Sequence, residues 1–365
     1  MRKLILLPLC FMLTYCAHNN IAQAENDTFL TVGDMHLDNS KADCTYGEDT
    51  GTKLWSFTQA KIKSIIKNKQ PQFILFLGDE PAHNQPKEKR NSDDKQVLQD
   101  LRHLVDNTRI PVLYVAGNNE MPDGDYYSFT DAQGITPFTL DKNQGWPVIH
   151  AASSCQNTTA PCILNQSTQD GYYSAYPLGP EKHLLVISLN TVIFSPNYIE
   201  DDGVSQQTST KQELTWLDQQ LQHAKNKNDK VYIAMHIPPG GDAYDPSAHM
   251  WRSDLTVDGK PVNDLFLDTV NKYHSIIRGV FTAHTHFDSI RKIYNRSGKF
   301  TLLAISNPGV TPQHNNNPAF KMWHYQAQSF YPTDNTTYYT TPNLNNWEQY
   351  TFSDQYQCNP RSTMY

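Results

Sequence analysis

Five short apolar runs, each closed by a residue able to bind a metal ion, constrain this chain more than any other feature of it. They are residues 29–33 before Asp34, 73–78 before Asp79, 112–117 before Asn118, 231–235 before His236 and 280–283 before His284. Near-continuous apolar runs of this length fit strands buried on both faces, and in such sheets ligands gather at the carboxyl ends of the strands. Five strand ends are therefore expected to converge.

Between the runs, apolar residues recur at three and four over residues 54–67, 95–105, 212–224 and 262–273, which predicts helices. Strand and helix alternate over most of the chain, so the expected class is α/β with helices packed outside the sheets, and the β-rich stretch 172–189 adds mixed strands. The charged stretch 84–94 lacks apolar residues and reads as a solvated loop. Residues 196–210 and 240–260 are polar and turn-rich, and such loops either rim a pocket or merely connect. After Thr333 the sequence turns to Asn, Thr and Tyr, a β-rich appendage or a poorly ordered end. A length of 365 residues exceeds what one core usually supports, yet α/β enzymes of this size often remain one domain with insertions.

Asp34 and His36 are two apart, as are His284 and His286, and at an extended strand end residues at that spacing point the same way. Each pair can grip one ion. A lone histidine is usually a structural residue, but five strand ends supplying Asp, Asn and His are hard to explain by packing. The formal net charge of -7 and the absence of a Lys/Arg block exclude a nucleic-acid partner, which needs clustered positive charge.

At the N-terminus, Met1, Arg2 and Lys3 precede an apolar stretch over residues 4–15, charged and short like an export signal and too short to span a bilayer comfortably. Cleavage after Ala22, Gln23 and Ala24 would leave a mature chain from Glu25, and a lipid-modified Cys16 is the alternative, which would place a lipoprotein at a membrane. Either way the chain is expected outside the cytoplasm, periplasmic or secreted. Cys44, Cys155, Cys162 and Cys358 then remain, an even number suited to disulfides in an oxidising compartment. Cys155 and Cys162 flank a polar loop and are the expected pair, leaving Cys44 for Cys358 by elimination or as free buried thiols.

The strings Gly-Asp-Met-His, Gly-Asp-Glu-Pro-Ala-His, Gly-Asn-Asn-Glu, His-Ile-Pro-Pro-Gly and Ala-His-Thr-His follow one another in the order of the calcineurin-like metallophosphoesterases. Within that superfamily the chain resembles the acid sphingomyelinase-like phosphodiesterases, through Pro81-Ala82-His83, Gly171-Tyr172-Tyr173, Ile187-Ser188-Leu189-Asn190, Trp216-Leu217 and residues 236–240, over roughly residues 28–325. The resemblance implies a four-layer sandwich, two mixed β-sheets flanked by helices, over residues 25–330, between the signal (1–24) and a C-terminal extension (331–365). It implies Asp34, His36, Asp79 and His286 as ligands of one divalent ion and Asp79, Asn118, His236 and His284 as ligands of a second, with Asp79 bridging. Such mixed ligands suit Zn, Mn or Fe better than Mg, and the sphingomyelinase branch tilts the choice to zinc.

One position departs from the family. Its motif continues Gly-Asn-His, whereas Asn119 stands here, and an amide cannot give up a proton near neutrality. His83, which matches the second histidine of the sphingomyelinase branch, is the expected replacement; the other route is a substrate whose leaving group departs without protonation. Asp38 and Glu120 flank ligand motifs, either orienting a ligand or lying at the surface. Trp323, Tyr325, Tyr126 and Tyr127 either stack on a substrate base or pack in the core. No saposin-like segment stands before Thr28, so the expected substrate is a small soluble phosphodiester or phosphoanhydride, with a lipid headgroup second. The alternative is a noncatalytic metal-containing binder that has lost its acid at Asn119.

Overall fold

The computed structural model describes residues 26–141, 145–245, 247–295 and 297–357. The N-terminal signal, Cys16 and Cys358 lie outside them. Two seven-stranded mixed sheets form its body. The first runs Glu348–Thr351, Pro332–Tyr339, Ala319–Gln326, Asn26–Val32, Ile74–Phe76, Val112–Tyr114, Val148–Ile149. The second runs Ser289–Tyr294, Phe300–Ser306, Ile277–Thr282, Lys230–Met235, Leu184–Leu189, Tyr172–Tyr176, Cys162–Ser167. All five apolar runs become central strands, paired in parallel with a neighbour.

Strand alternation explains the layering. Phe29, Leu75 and Leu113 of the first sheet share a core with Val186, Tyr232 and Phe281 of the second, and Phe29 lies 5.5 Å from the ring of Tyr232 and 5.3 Å from that of Phe281. The next residues along, Leu30, Ile74 and Phe76, face outward and pack with Trp55, Ile62, Val97 and Leu101 of the helices Thr52–Lys69 and Lys87–Val105. On the other side, Leu185, Val231 and Ile233 meet Leu217 and Leu221 of Gln206–Lys227, against which Val262–Tyr273 packs. The result is helix, sheet, sheet, helix, the four-layer sandwich expected. Trp323 and Tyr325 are buried in the layer between the sheets, so they are core residues.

Two helices begin earlier than their apolar pattern. The stretch 84–94 is not a solvated loop: helix starts at Lys87, and Arg90, Asp93 and Asp94 are buried. Arg90 donates to the carbonyls of Met121 and Pro122, and Lys89 pairs with Asp93 and Asp38. The second begins at Gln206 because Ser205 caps it, its side chain accepting from the Thr208 amide. Residues 332–339 and 348–351 add two strands to the first sheet. Cys155 and Cys162 are disulfide-bonded, as their spacing suggested.

Candidate metal centre

Three of the five runs, those before Asp34, Asp79 and His284, end in residues with left-handed backbone. Asp34, His36, Asp79, His284 and His286 all have left-handed backbone, with φ of 50°, 44°, 62°, 69° and 58°. Non-glycine residues held there cost about 1–3 kcal/mol each and tend to cluster at functional sites. The turns interlock through short backbone bonds: the Asp34 amide donates to Gly78 O, His36 to Asp79 O, and Ala283 to His236 O. A side chain could not fit at Gly117, where a Cβ would lie 2.3 Å from Asp79 Oδ1.

The expected ligands do converge. His36 Nε2 lies 3.2 Å from His286 Nε2 and 3.4 Å from Asp79 Oδ2. His236 Nε2 lies 3.1 Å from the same Asp79 oxygen and 3.9 Å from Asp34 Oδ1, and His286 Nε2 lies 3.7 Å from Asp34 Oδ1. One donor atom each from Asp34, His36 and Asp79, and likewise from Asp79, His236 and His284, falls within 4.8 Å of its companions, so Asp79 belongs to both groups. Asn118 ends its own apolar run: its Nδ2 donates to Asp125 at 2.7 Å, while its Oδ1 is buried with no hydrogen-bond partner among the described residues. Asp34 Oδ2 is orphaned in the same way. Buried oxygens are rarely left so, and a cation is the partner that Asp, Asn and neutral His share.

Protonation points the same way. Burial, with Asp79 adding to it, raises Asp34 to about 8. Burial opposes a charged His236, yet Asp79 prevails and lifts it to about 10, while Asp79 itself, despite burial, is held well below the carboxylate range by His236. Burial and the neighbouring His83 take His36 to about 3; burial and the charge of His236 take His284 to about 3. The upward shifts of Asp34 and His236 favour positive charge at these places, and the downward shifts of His36 and His284 favour the neutral imidazole, the form that binds metal.

Supporting groups fix these side chains. His236 Nδ1 bonds to the carbonyl of Leu77 at 2.6 Å and His36 Nδ1 to that of Pro81 at 3.2 Å. Glu120 is buried, not a surface carboxylate; it accepts from the amides of Asp79 and Gly117 and from the Tyr114 hydroxyl. Asp38 is also buried, but it serves Ser40 and Lys89. Asn119 sits on the bridging carboxylate, its backbone amide 3.0 Å from Asp79 Oδ1 and its side-chain nitrogen 3.0 Å from Oδ2. His83 lies flat against His36, ring centroids 3.9 Å apart, with its Nδ1 2.7 Å from Asp49 Oδ1. Tyr126 meets His284 edge-on at 6.4 Å, and His314, stacked on Tyr244, meets His286 at 4.5 Å. Asp49, Asp125 and His314 escaped the sequence reading because they come from loops without periodicity; only the turn-forming string Pro122-Asp123-Gly124-Asp125 hinted at one of them.

Residues 28–288 match the model of the calcineurin-like phosphoesterases. Among curated proteins, the chain is 27% identical over 307 residues to "Sphingomyelinase phosphodiesterase D" of Dictyostelium discoideum, covering 82% of this chain and 63% of that protein. It is 29% identical over 290 residues to the human "Cyclic GMP-AMP phosphodiesterase SMPDL3A", covering 75% and 58%, and 24% identical over 364 residues to human "Acid sphingomyelinase-like phosphodiesterase 3b", covering 90% and 74%. The alignments thus span 63% and 58% of the first two relatives. A dimetal phosphatase from Danio rerio shares the fold, with a TM-score of 0.52 at 14% identity over 89% of this chain and 98% of that one.

Proposed function

The chain belongs to the calcineurin-like phosphoesterase family, and from that membership and the geometry of its site we propose that it is a phosphodiesterase working with two divalent ions. The observation that carries this reading is the set of Asp34, His36, Asp79, Asn118, His236, His284 and His286, with buried oxygens of Asp34 and Asn118 that have no hydrogen-bond partner among the described residues. Two such ions, when bound, lower the pKa of a shared water and neutralise charge developing on the phosphoryl oxygens. The protein's part is to hold the ligands rigid: strained turns, the Leu77 and Pro81 carbonyls, Asp125 and Glu120 do that.

His83 is the proton donor in this reading. Asp49 fixes its Nδ1, leaving Nε2 for the leaving oxygen, and general acid catalysis of that kind contributes about 10² to 10⁴ in rate. Asn119 contributes hydrogen bonds to Asp79 rather than a proton. Zinc suits the imidazole-rich set, with manganese or iron as alternatives. The substrate is a small phosphodiester or anhydride, nucleotide-like before lipid-like; the relatives are named for cyclic GMP-AMP and for sphingomyelin, one of each kind. Export fits the Cys155–Cys162 disulfide, and no described helix is long and apolar enough to cross a membrane.

Hydrolysis of bis(p-nitrophenyl) phosphate by protein reconstituted with Zn or Mn tests the reading. Turnover that disappears with chelation and returns with metal is expected. A protein that takes up two ions yet turns over neither this diester nor cyclic GMP-AMP nor sphingomyelin would instead be the noncatalytic binder.

A further inference from the structure

Three imidazoles, not two, crowd the Asp34 side of the centre. His36 and His286 approach with their Nε2 atoms 3.2 Å apart. His83 stacks on His36 with ring planes 16° apart, its centroid 6.1 Å from that of His286. One nitrogen from each of the three lies within 4.8 Å of the other two. Asp49 binds His83 twice, Oδ2 accepting from the backbone amide at 2.9 Å and Oδ1 facing Nδ1 at 2.7 Å, so Nε2 is the nitrogen left available. A carboxylate behind the far nitrogen is the support that metal-bound imidazoles ordinarily have, because it fixes the tautomer and makes the other nitrogen a better donor.

We propose that His83 is a facultative ligand: with His36 and His286 it forms a three-imidazole site that captures the first divalent ion before the bridged pair is complete. The proposal rests on reading His36 and His286 as ligands. Three nitrogens set tetrahedrally around one ion at about 2.0–2.1 Å stand about 3.4 Å apart, so the set must close from within 4.8 Å and the His83 ring must swing out of its stack on His36 until its Nε2 lone pair meets the ion. Neutral imidazoles select Zn, Co, Ni or Cu over Mg and Ca, which prefer oxygen. One Nε2 cannot bind an ion and carry a proton together. The two roles of His83 therefore alternate: ligand in the resting protein and, once a substrate phosphate takes its place at the ion and its Nε2 has taken up a proton from solvent, donor.

Cobalt(II) titration of the metal-stripped protein, followed by visible absorption and chelator competition with no substrate present, tests this apart from catalysis. In His83→Ala the first equivalent should bind about 10- to 100-fold more weakly with an altered absorption band, while the second binds as in wild type; Asp49→Asn should show a smaller loss in the same step. X-ray absorption of wild-type protein holding one equivalent of zinc should count three imidazoles, a readout that needs no variant to fold. Two imidazoles, or identical first-equivalent binding in wild type and His83→Ala, overturns the proposal while leaving the bridged pair intact. A wild type that binds one ion only, weakened by His83→Ala, sustains the three-imidazole site and sinks the pair instead.

Discussion

Asp125 accepts the side-chain N–H of Asn118 at 2.7 Å and leaves the Asn118 carbonyl oxygen buried with no hydrogen-bond partner among the described residues. An amide has two faces, and with Asn118 as a ligand this bond would set which one an ion meets. Asp125→Leu removes the acceptor at similar volume, and metal affinity should fall about 10- to 100-fold for one of two ions. Competition with a chelator resolves this; equal affinity for both ions would show that Asn118 orients itself.

Asp79 faces both His36 and His236 through a single oxygen, Oδ2. Asp79→Ala is expected to cost more metal than loss of any other ligand, because both ions lose a contact at once. Elemental analysis of the reconstituted variant should give well under one ion per chain, against about two for wild type. Retention of one tightly held ion would mean that the two sites do not share this carboxylate.

The strands and the cluster of polar residues at their ends were legible because one physical demand produces both signals: a strand buried on two faces must be apolar along its length, and the polar residue that ends it stands out. Residues 231–235 before His236 show this plainly. What stayed hidden was polar matter made structural by tertiary contact. Arg90 and Asp93 read as solvated because partners of theirs, the carbonyls of Met121 and Pro122 and the backbone amide of Asn39, lie far off in sequence. Asp49 and His83 are likewise 34 residues apart, and no periodicity joins them.

Glu213, away from the centre, gives a pH signature. Burial holds its carboxyl well above the usual value, about 4.3, even though the Asn190 amide donates to it. The unfolded chain loses this proton as pH rises past about 4.3 while the folded chain keeps it, so its stabilising effect is full below that pH and drains away as pH rises through the folded value. Each pH unit in that window removes about 1.4 kcal/mol from this source. Glu213→Gln keeps an acceptor for Asn190 and cannot ionise, so its urea-unfolding stability between about pH 5.5 and 7.5 should decline less steeply than that of wild type. Parallel slopes would mean that Glu213 ionises in the folded protein.

The roles of His83 and Asn119 separate by leaving group. A nitrophenolate needs little protonation to depart, whereas an alkoxide does, so at saturating metal His83→Ala should slow alkyl phosphodiesters by about 10² or more and nitrophenyl diesters far less. Asn119 gives its backbone N–H to Asp79 Oδ1 and one side-chain N–H to Oδ2, and its amide has no proton to give up to the leaving oxygen. Asn119→His, restoring the family residue, should then raise turnover of alkyl diesters by an amount approaching about 10² if the new ring clears Asp79, with nitrophenyl substrates little changed. If the substrate's own leaving group compensates for Asn119, wild type will already discriminate strongly against alkyl diesters and His83→Ala will change little. Equal losses on both substrate classes in His83→Ala would remove His83 from the donor role and leave it with its place beside His36 alone.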